Sequence, residues 1–345
     1  PEAEFDIASK TGNAGGAEFG HITLERQREL KADVIEEALQ RMAGIELRPT
    51  VEAAPGDDEA NGLGYRTRVQ LHVNEYGDVG PYRERSHEVV RVKSLPLAVE
   101  DIQELEMQNR NYQGVSKIEV AASSTGQTLI KIDTKLSSTD RMIERAGGRT
   151  FRISAGGFWQ VHKKAPDLLT SAVNGMIAAV GIDKEAENLD LYGGVGLFAG
   201  AMAAKFGADL HITTVEAYKQ ATEDAALNLN DLKHAKAVCQ ATERFMNERA
   251  AEAKAAIKKA KADGVAAPKS TATIVLDPPR AGAGAHVIQR LTEIAPRHIV
   301  YVACDPIALA RDLKSLLAAG YELKALRAFD LFPHTHHVEA VASLV

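Results

Sequence analysis

From Phe151 to the end of the chain, strand-length apolar runs alternate with helical segments, and this rhythm is the strongest constraint on the fold. Strands separated by helices pair in parallel, with the helices covering both faces of the sheet. Seven strands are expected, at Asn188–Tyr192, His211–Glu216, Ala237–Ala241, Ala272–Asp277, His298–Cys304, Glu322–Phe329 and Val338–Leu344. The last two are separated by too few residues for a crossover helix, so they should form an antiparallel hairpin. The expected fold class is therefore α/β: a Rossmann-like, mostly parallel seven-stranded sheet with an antiparallel last strand, beside a smaller α+β domain.

The smaller domain is read from the first half of the chain. After a glycine-rich start, Leu24 to Met42 has a helical period, with Leu30, Val34, Ile35, Ala38 and Leu39 on one face. Arg66 to Val73 and Thr128 to Ile132 alternate as strands do, a helix is expected from Val99 to Asn109, and Ser137 to Gly148 is a polar connection. The expected division is 1–45 as an N-terminal segment and helix, 46–149 as a small α+β domain, and 150–345 as the large α/β domain. The Ala/Lys-rich stretch Ala250 to Lys269 reads as a solvated helix and loop, with RNA contact as the minority reading. No apolar run approaches the ~20 residues of a membrane span and no leader peptide is readable, so the expected location is the cytoplasm. Two unclustered cysteines make neither a disulfide scaffold nor a four-thiolate metal site. A formal net charge of -6 argues against a surface coated by nucleic acid, although a local basic face is still compatible with RNA.

The residues with chemical potential fall where the first strands of such a sheet end. Tyr192-Gly193-Gly194-Val195-Gly196-Leu197 places glycines where the backbone must turn sharply into a helix and approach a ligand closely. Glu216 ends the next strand, 20 residues past Gly196, where a carboxylate can accept from both hydroxyls of a ribose. The pair suggests an adenosine-containing cofactor, and the loop alone does not separate NAD from S-adenosylmethionine. Asp277 closes the fourth strand and Cys304 the fifth. Glu339 begins the seventh, but if that strand runs antiparallel its start lies at the same edge as Cys304. A thiol, an aspartate and a glutamate gathered there suggest covalent catalysis with a separate base.

These residues resemble the S-adenosylmethionine-dependent RNA 5-methyluridine (uracil-C5) methyltransferases of the bacterial tRNA and 23S rRNA group. The resemblance rests on Phe158-Trp159-Gln160-Val161, the glycine loop, Asp277-Pro278-Pro279-Arg280-Ala281-Gly282, Tyr301-Val302-Ala303-Cys304-Asp305-Pro306 and Phe332-Pro333-His334-Thr335-His336-His337-Val338-Glu339. Weaker similarity runs from Gly15-Gly16 to about Pro96. It implies a class I methyltransferase domain, S-adenosylmethionine as cofactor, and 23S rRNA or tRNA as partner, with no membrane and no obligate protein partner. It also implies Cys304 as the nucleophile that adds to C6 of uracil, Glu339 as the base for the C5 proton, and Asp277 between cofactor and uracil. Gln160, Tyr192, Gly194, Gly196, Leu197, Glu216 and Asp277 would bind the cofactor; Arg280, His336 and His337, with His334 beside them, would contact phosphate or base. Because stacking covers C5 and C6, the target uridine has to be unpaired or flipped out.

Departures from the family are as informative. Many members hold an iron-sulfur cluster, but the matching positions here are Ala8, Ala14, Ala17 and Ser94, so no cluster is expected. Leu197 stands where many members have Asn, and Ala241 near a usual Asp or Asn at the adenine. The small N-terminal RNA-binding barrel of many relatives is not readable in this chain. Three histidines within four residues, outside a helix, project to different sides and make a poor metal site. The competing functions are a non-catalytic RNA-binding or RNA-folding protein on the same fold and an NAD-dependent oxidoreductase. Asp277-Pro278-Pro279-Arg280 alone also resembles the motif of amino-methylating enzymes, which need neither Cys304 nor Glu339.

Overall fold

The computed structural model describes residues 15–83, 86–138 and 140–345. The first helix among the described residues is α1 (Leu24–Ala38), started by Thr23, whose hydroxyl accepts from the amide of Arg26. It continues into one π-type turn, Leu39–Ala43, and stops at Gly44 in the left-handed conformation (φ 69°). The buried face differs from the expected one. Gln27, Lys31, Ala32, Ile35, Ala38 and Leu39 point inward, whereas Val34 is 49% exposed. Two polar side chains are buried because partners await them in the core, and apolar periodicity cannot register such positions.

Strand β1 (Val51–Ala53) follows, then the small domain: β2 (Arg68–Val73), β3 (Val79–Gly80), the one-turn helix α2 (Glu100–Gln103), β4 (Lys117–Ala122), β5 (Thr128–Ile132) and β6 (Lys135–Leu136). These five strands after β1 form an antiparallel sheet ordered β3-β2-β4-β5-β6. The long helix expected from Val99 to Asn109 is not there: Glu106 takes φ 47°, which ends α2 and leaves a separate 3-10 turn at Met107–Asn109. Ile102 and Met107 are nonetheless buried together against Leu71 and Ile118, so the apolar residues of the segment keep their core role. A hairpin of β7 (Met142–Ala146) and β8 (Arg149–Ile153) leads into the large domain.

The large domain runs α3 (Ala165–Val180), β9 (Asn188–Leu191), α4 (Leu197–Phe206), β10 (Ile212–Glu216), α5 (Lys219–Asn228), β11 (Ala235–Cys239), α6 (Thr242–Ala262), β12 (Thr273–Leu276), α7 (Gly284–Ile294), β13 (His298–Ala303), α8 (Pro306–Ala318), β14 (Leu323–Asp330) and β15 (Glu339–Leu344). Its sheet has the order β1-β14-β15-β13-β12-β9-β10-β11. All seven expected strands are present. The third is shifted by two residues, to Ala235–Cys239, and ends early because Ala241 is taken as the N-cap of α6. The eighth strand, β1, pairs in parallel with β14 (Val51 opposite Ala328) although its residues fall in the range assigned to the small domain. A three-residue strand is too short to show a period. Its placement draws α1 onto the large sheet, where Ile35 and Leu39 share a core with Tyr301, Leu309 and Leu313. The opposite face is covered by α3 and α4 through Leu169, Ile177, Phe198 and Met202. No helix among the described residues is long and apolar enough to cross a membrane.

Candidate active site

Strand β15 runs antiparallel to both of its neighbours, β13 and β14, as the short connection required. Ala303 lies opposite Ala340, so the next step of the same register sets Cys304 opposite Glu339. On the other side of β13, the parallel strand β12 pairs Leu276 with Tyr301 and delivers Asp277 to the same edge. Pro306 starts α8, and the Asp305 carboxylate caps it by accepting from the amide of Ala308 at 2.8 Å, which stiffens the backbone beside Cys304.

These acidic groups perturb one another. Asp277 is pushed up to about 7, first by burial and then by the charge of Asp190. Glu339 is raised well above the ordinary carboxylate value by burial and by Asp277, with Arg280 opposing. The Cys304 thiol is pushed up to about 11, by burial first, then by Glu339 and Asp277; Arg280 again opposes. The two carboxyls and the thiol therefore oppose one another's ionisation, and burial disfavours the charged form of all three. Arg280 is exposed and is held by His337, whose Nδ1 accepts from its guanidinium at 2.8 Å.

The glycine loop is built by steric exclusion. A Cβ on Gly193 would overlap Thr214 Oγ1 and approach Asp190 Oδ2 to 2.7 Å, so no larger residue fits. Gly194 and Gly196 take φ 54° and 84°, and a Cβ on Gly194 would meet nothing within 4 Å, leaving that face open to a ligand. Asp190 holds the turn from beneath, accepting from the Ala199 amide at 3.2 Å and the Thr214 hydroxyl at 3.0 Å. Its carboxyl is pushed up to about 7, chiefly by burial. Glu216 reaches the loop from β10: its oxygens accept from the amides of Gly194 (3.1 Å) and Tyr218 (2.8 Å). Each oxygen keeps further acceptor capacity, so the carboxylate fits a ribose.

The other expected cofactor residues are placed less uniformly. Tyr192 adopts φ 61°, a strained region for a bulky residue, and its ring packs on the core beneath the sheet. Leu197 is buried with Val195, Trp159 and Phe151, so its side chain makes an apolar floor for the loop and offers no polar contact. Trp159 thereby ties Gln160 to the neighbourhood of the loop, and Gln160 lines a cleft between the two domains. Ala241 caps α6 without a side-chain hydrogen bond. Of the alanine and serine positions matched to a cluster, Ala17 is buried and Ser94 partly so, and neither carries a thiol. Ala8 and Ala14 lie outside the described residues. The residues present do not fit an iron-sulfur cluster. Among the described residues, no group of three or more His, Cys, Asp or Glu side chains could hold a metal ion.

The histidine cluster divides. His336 is exposed and His337 half-buried, with ring centroids 4.1 Å apart. His334 is only 4% exposed, which corrects its assignment to substrate contact. Its amide donates to Gln27 Oε1 at 2.7 Å, its Nδ1 lies 3.2 Å from Gln27 Nε2, and its Nε2 lies 2.9 Å from the carbonyl of Asn61. The loop that carries Glu339 is thus anchored from below by α1. Lys31 completes the anchor by donating to Asp330 at 2.5 Å and to the carbonyl of Phe332 at 3.0 Å, both ends of the pair being buried. Asp312 does the same for the loop after Asp277, accepting from the amide of Ala283 at 2.9 Å and the Tyr301 hydroxyl at 2.8 Å. Sequence reading passed over Gln27, Lys31 and Asp312. A Lys and a Gln at apolar-phase positions of α1 are the one signal that could have exposed the first two.

Known proteins carry the same arrangement of chain. Residues 88–345 match the family described as tRNA (Uracil-5-)-methyltransferase. An RNA methyltransferase of Streptomyces avermitilis, itself uncharacterized, is 37% identical across 96% of this chain and 81% of its own length. Another, from Bifidobacterium longum, is 32% identical across 96% of this chain and 78% of its own. The Pyrococcus abyssi tRNA (uracil-54, C5)-methyltransferase, solved in complex with S-adenosyl-L-homocysteine, superposes with a TM-score of 0.69 at 21% identity, covering 96% of this chain and 86% of that one. At that identity the likeness is one of fold. About three quarters of the chain fall within the family match, and the similarity to the Streptomyces relative extends over 96% of it, so this chain belongs to the tRNA (uracil-5-)-methyltransferase family.

Proposed function

We propose that the protein transfers a methyl group from S-adenosylmethionine to C5 of a uridine in RNA, through a covalent bond between Cys304 and C6 of the base. The observation that carries this reading is the antiparallel register of β13 and β15, which sets a thiol opposite a carboxylate at one sheet edge. Uracil C5 is too weak a nucleophile to take a methyl group unaided. Addition of the Cys304 thiolate to C6 turns C5 into an enolate carbon, and S-adenosylmethionine, when bound, supplies the electrophilic methyl. Glu339 then removes the C5 proton, the C5–C6 double bond re-forms, and the thiolate leaves. Burial and the Asp277 charge, which raise the Glu339 carboxyl, make it a stronger base once it is ionised. Arg280 favours the anionic forms of both Cys304 and Glu339 and adjoins His337, a suitable place for RNA phosphate.

Gly194 leaves an open face for the donor beside the backbone, and Glu216, which accepts from the Gly194 amide, keeps acceptor capacity for its ribose; Gln160, Tyr192 and Asp277 are the further residues assigned to the donor. The substrate is RNA, of the tRNA or 23S rRNA class. The test is Cys304→Ala against Glu339→Gln with isotopically labelled donor and total tRNA and rRNA. Cys304→Ala should lose all transfer, and Glu339→Gln should accumulate a protein–RNA adduct stable to denaturant. Full activity in Cys304→Ala would overturn the mechanism.

A further inference from the structure

Beside the catalytic edge lies a second groove, of about 900 Å³, that the chemistry above does not use. Its wall is a ladder of flat rings on the small domain. Gln70 and His72 share one face of β2, with Gln70 Nε2 3.1 Å from His72 Nε2. Tyr82 stacks on His72, the ring centroids 3.5 Å apart at 11°, and His87 meets Tyr82 edge-on at 5.2 Å. The inner end is His336, whose ring adjoins His337 and through it Arg280. His336, His337 and Arg280 thus connect the groove with the neighbourhood of Cys304, which feels the Arg280 charge.

The lining points to a nucleobase. Among the described residues Phe19 and Pro81 are its only large apolar members, so a peptide side chain finds little there to bury against. Among the described residues the one lining cation with a fixed charge, Arg83, is paired with Glu88 at 3.0 Å, and Glu18 adds a negative charge. What remains is π surface with an amide at its edge. Burial, Lys117 and His87 lower the His72 imidazole below its ordinary value, so the ring is neutral at physiological pH, as suits base stacking.

We propose that this groove holds an unpaired nucleotide adjoining the target uridine, its base extending the His72–Tyr82 ladder and its edge met by Gln70. The inference rests on the uridine-methylation reading. It adds that the enzyme grips single-stranded RNA on the small domain next to the flipped base, with ring stacking as the main source of affinity.

The test compares Tyr82→Ala, Tyr82→Leu and Tyr82→Phe with the unaltered protein. The probe is a short single-stranded oligouridylate carrying one 2-aminopurine, whose fluorescence is quenched by stacking. Tyr82→Phe should quench the probe and bind it as the unaltered protein does. Tyr82→Ala should lose the quench and about 10- to 100-fold in affinity, the size of one lost base–aromatic stack. S-adenosylmethionine binding and Cys304 alkylation should not change. Should Tyr82→Ala fail to fold, Tyr82→Leu decides, since it fills the site without a ring. Undiminished quench and affinity in Tyr82→Leu or Tyr82→Ala would overturn the proposal. Absence of methyl transfer by the unaltered protein would instead count against the reading beneath it, because the binding comparison needs no catalysis.

Discussion

The electrostatics of Cys304 can be tested without any substrate. Its thiol is pushed from an ordinary 9.0 up to about 11 by burial and by the charges of Glu339 and Asp277. Near pH 8, a thiol titrating at 9.0 is roughly 10% thiolate and one at 11 roughly 0.1%, so Cys304 should alkylate about 100-fold more slowly than an ordinary thiol. The assay is iodoacetamide modification followed by mass spectrometry, in a Cys239→Ser background because Cys239 is exposed. The rate should rise ~10-fold per pH unit between about pH 7 and 10 without a plateau. Glu339→Gln removes the second-largest cause while leaving the largest, burial. It should therefore speed alkylation by about 3- to 10-fold, and the thiol should still react more slowly than an ordinary one. A plateau below about pH 9, or an unchanged rate in Glu339→Gln above the carboxyl's own titration, would refute the reasoning.

Other perturbations probe the support of the site. Lys31→Met should cost about 3–5 kcal/mol in urea unfolding, because it leaves the Asp330 charge buried without its partner, and adding Asp330→Leu should recover most of that loss. Gly193→Ala should abolish S-adenosylmethionine binding in calorimetry and cost at least ~1–3 kcal/mol, since its Cβ overlaps Thr214 and Asp190. His298 is buried beside Ser343 and pushed down from 6.5 to about 4 by burial and by Arg297. Between those values the unfolded chain binds a proton that the folded one refuses, so stability falls as pH drops from about 6.5 to 4, by up to roughly 3 kcal/mol. His298→Gln should flatten that part of the urea-midpoint profile.

How much of this was legible in the sequence depended on whether a residue announces itself through period, turn chemistry or motif. The large sheet was readable because strands such as Thr273–Leu276 and His298–Ala303 are buried along their whole length and flanked by helices of ordinary size. That Glu339 starts at the same sheet edge as Cys304 was readable because eight residues between β14 and β15 leave no room for a crossover, so the two strands run antiparallel; that β15 lies between β14 and β13 was not. The Val99–Asn109 helix failed for the converse reason: its apolar residues are helically spaced, yet Ile102 and Met107 reach the same core across a break at Glu106.

The support beneath the site was illegible because it consists of buried polar pairs between residues far apart in the chain. Lys31 and Asp330 are 299 positions apart, and Gln27 and His334 are 307. Apart from the apolar phase of positions 27 and 31 on α1, nothing local in either sequence neighbourhood distinguishes a lysine that will be fully buried from one that will be solvated. The same blindness explains the histidine assignment. Spacing says that His334, His336 and His337 face different ways, but only the arrival of α1 decides which of them is turned inward, and that contact also fixes the start of the strand on which Glu339 stands. An α1 variant that frees His334 should therefore lower methyl transfer before it unfolds the sheet. Gln27→Ala, which removes the acceptor of the buried His334 amide, should cost about 1–3 kcal/mol in urea unfolding and lower methyl transfer under conditions where the variant is still fully folded; full transfer by the folded variant would reduce α1 to a packing role.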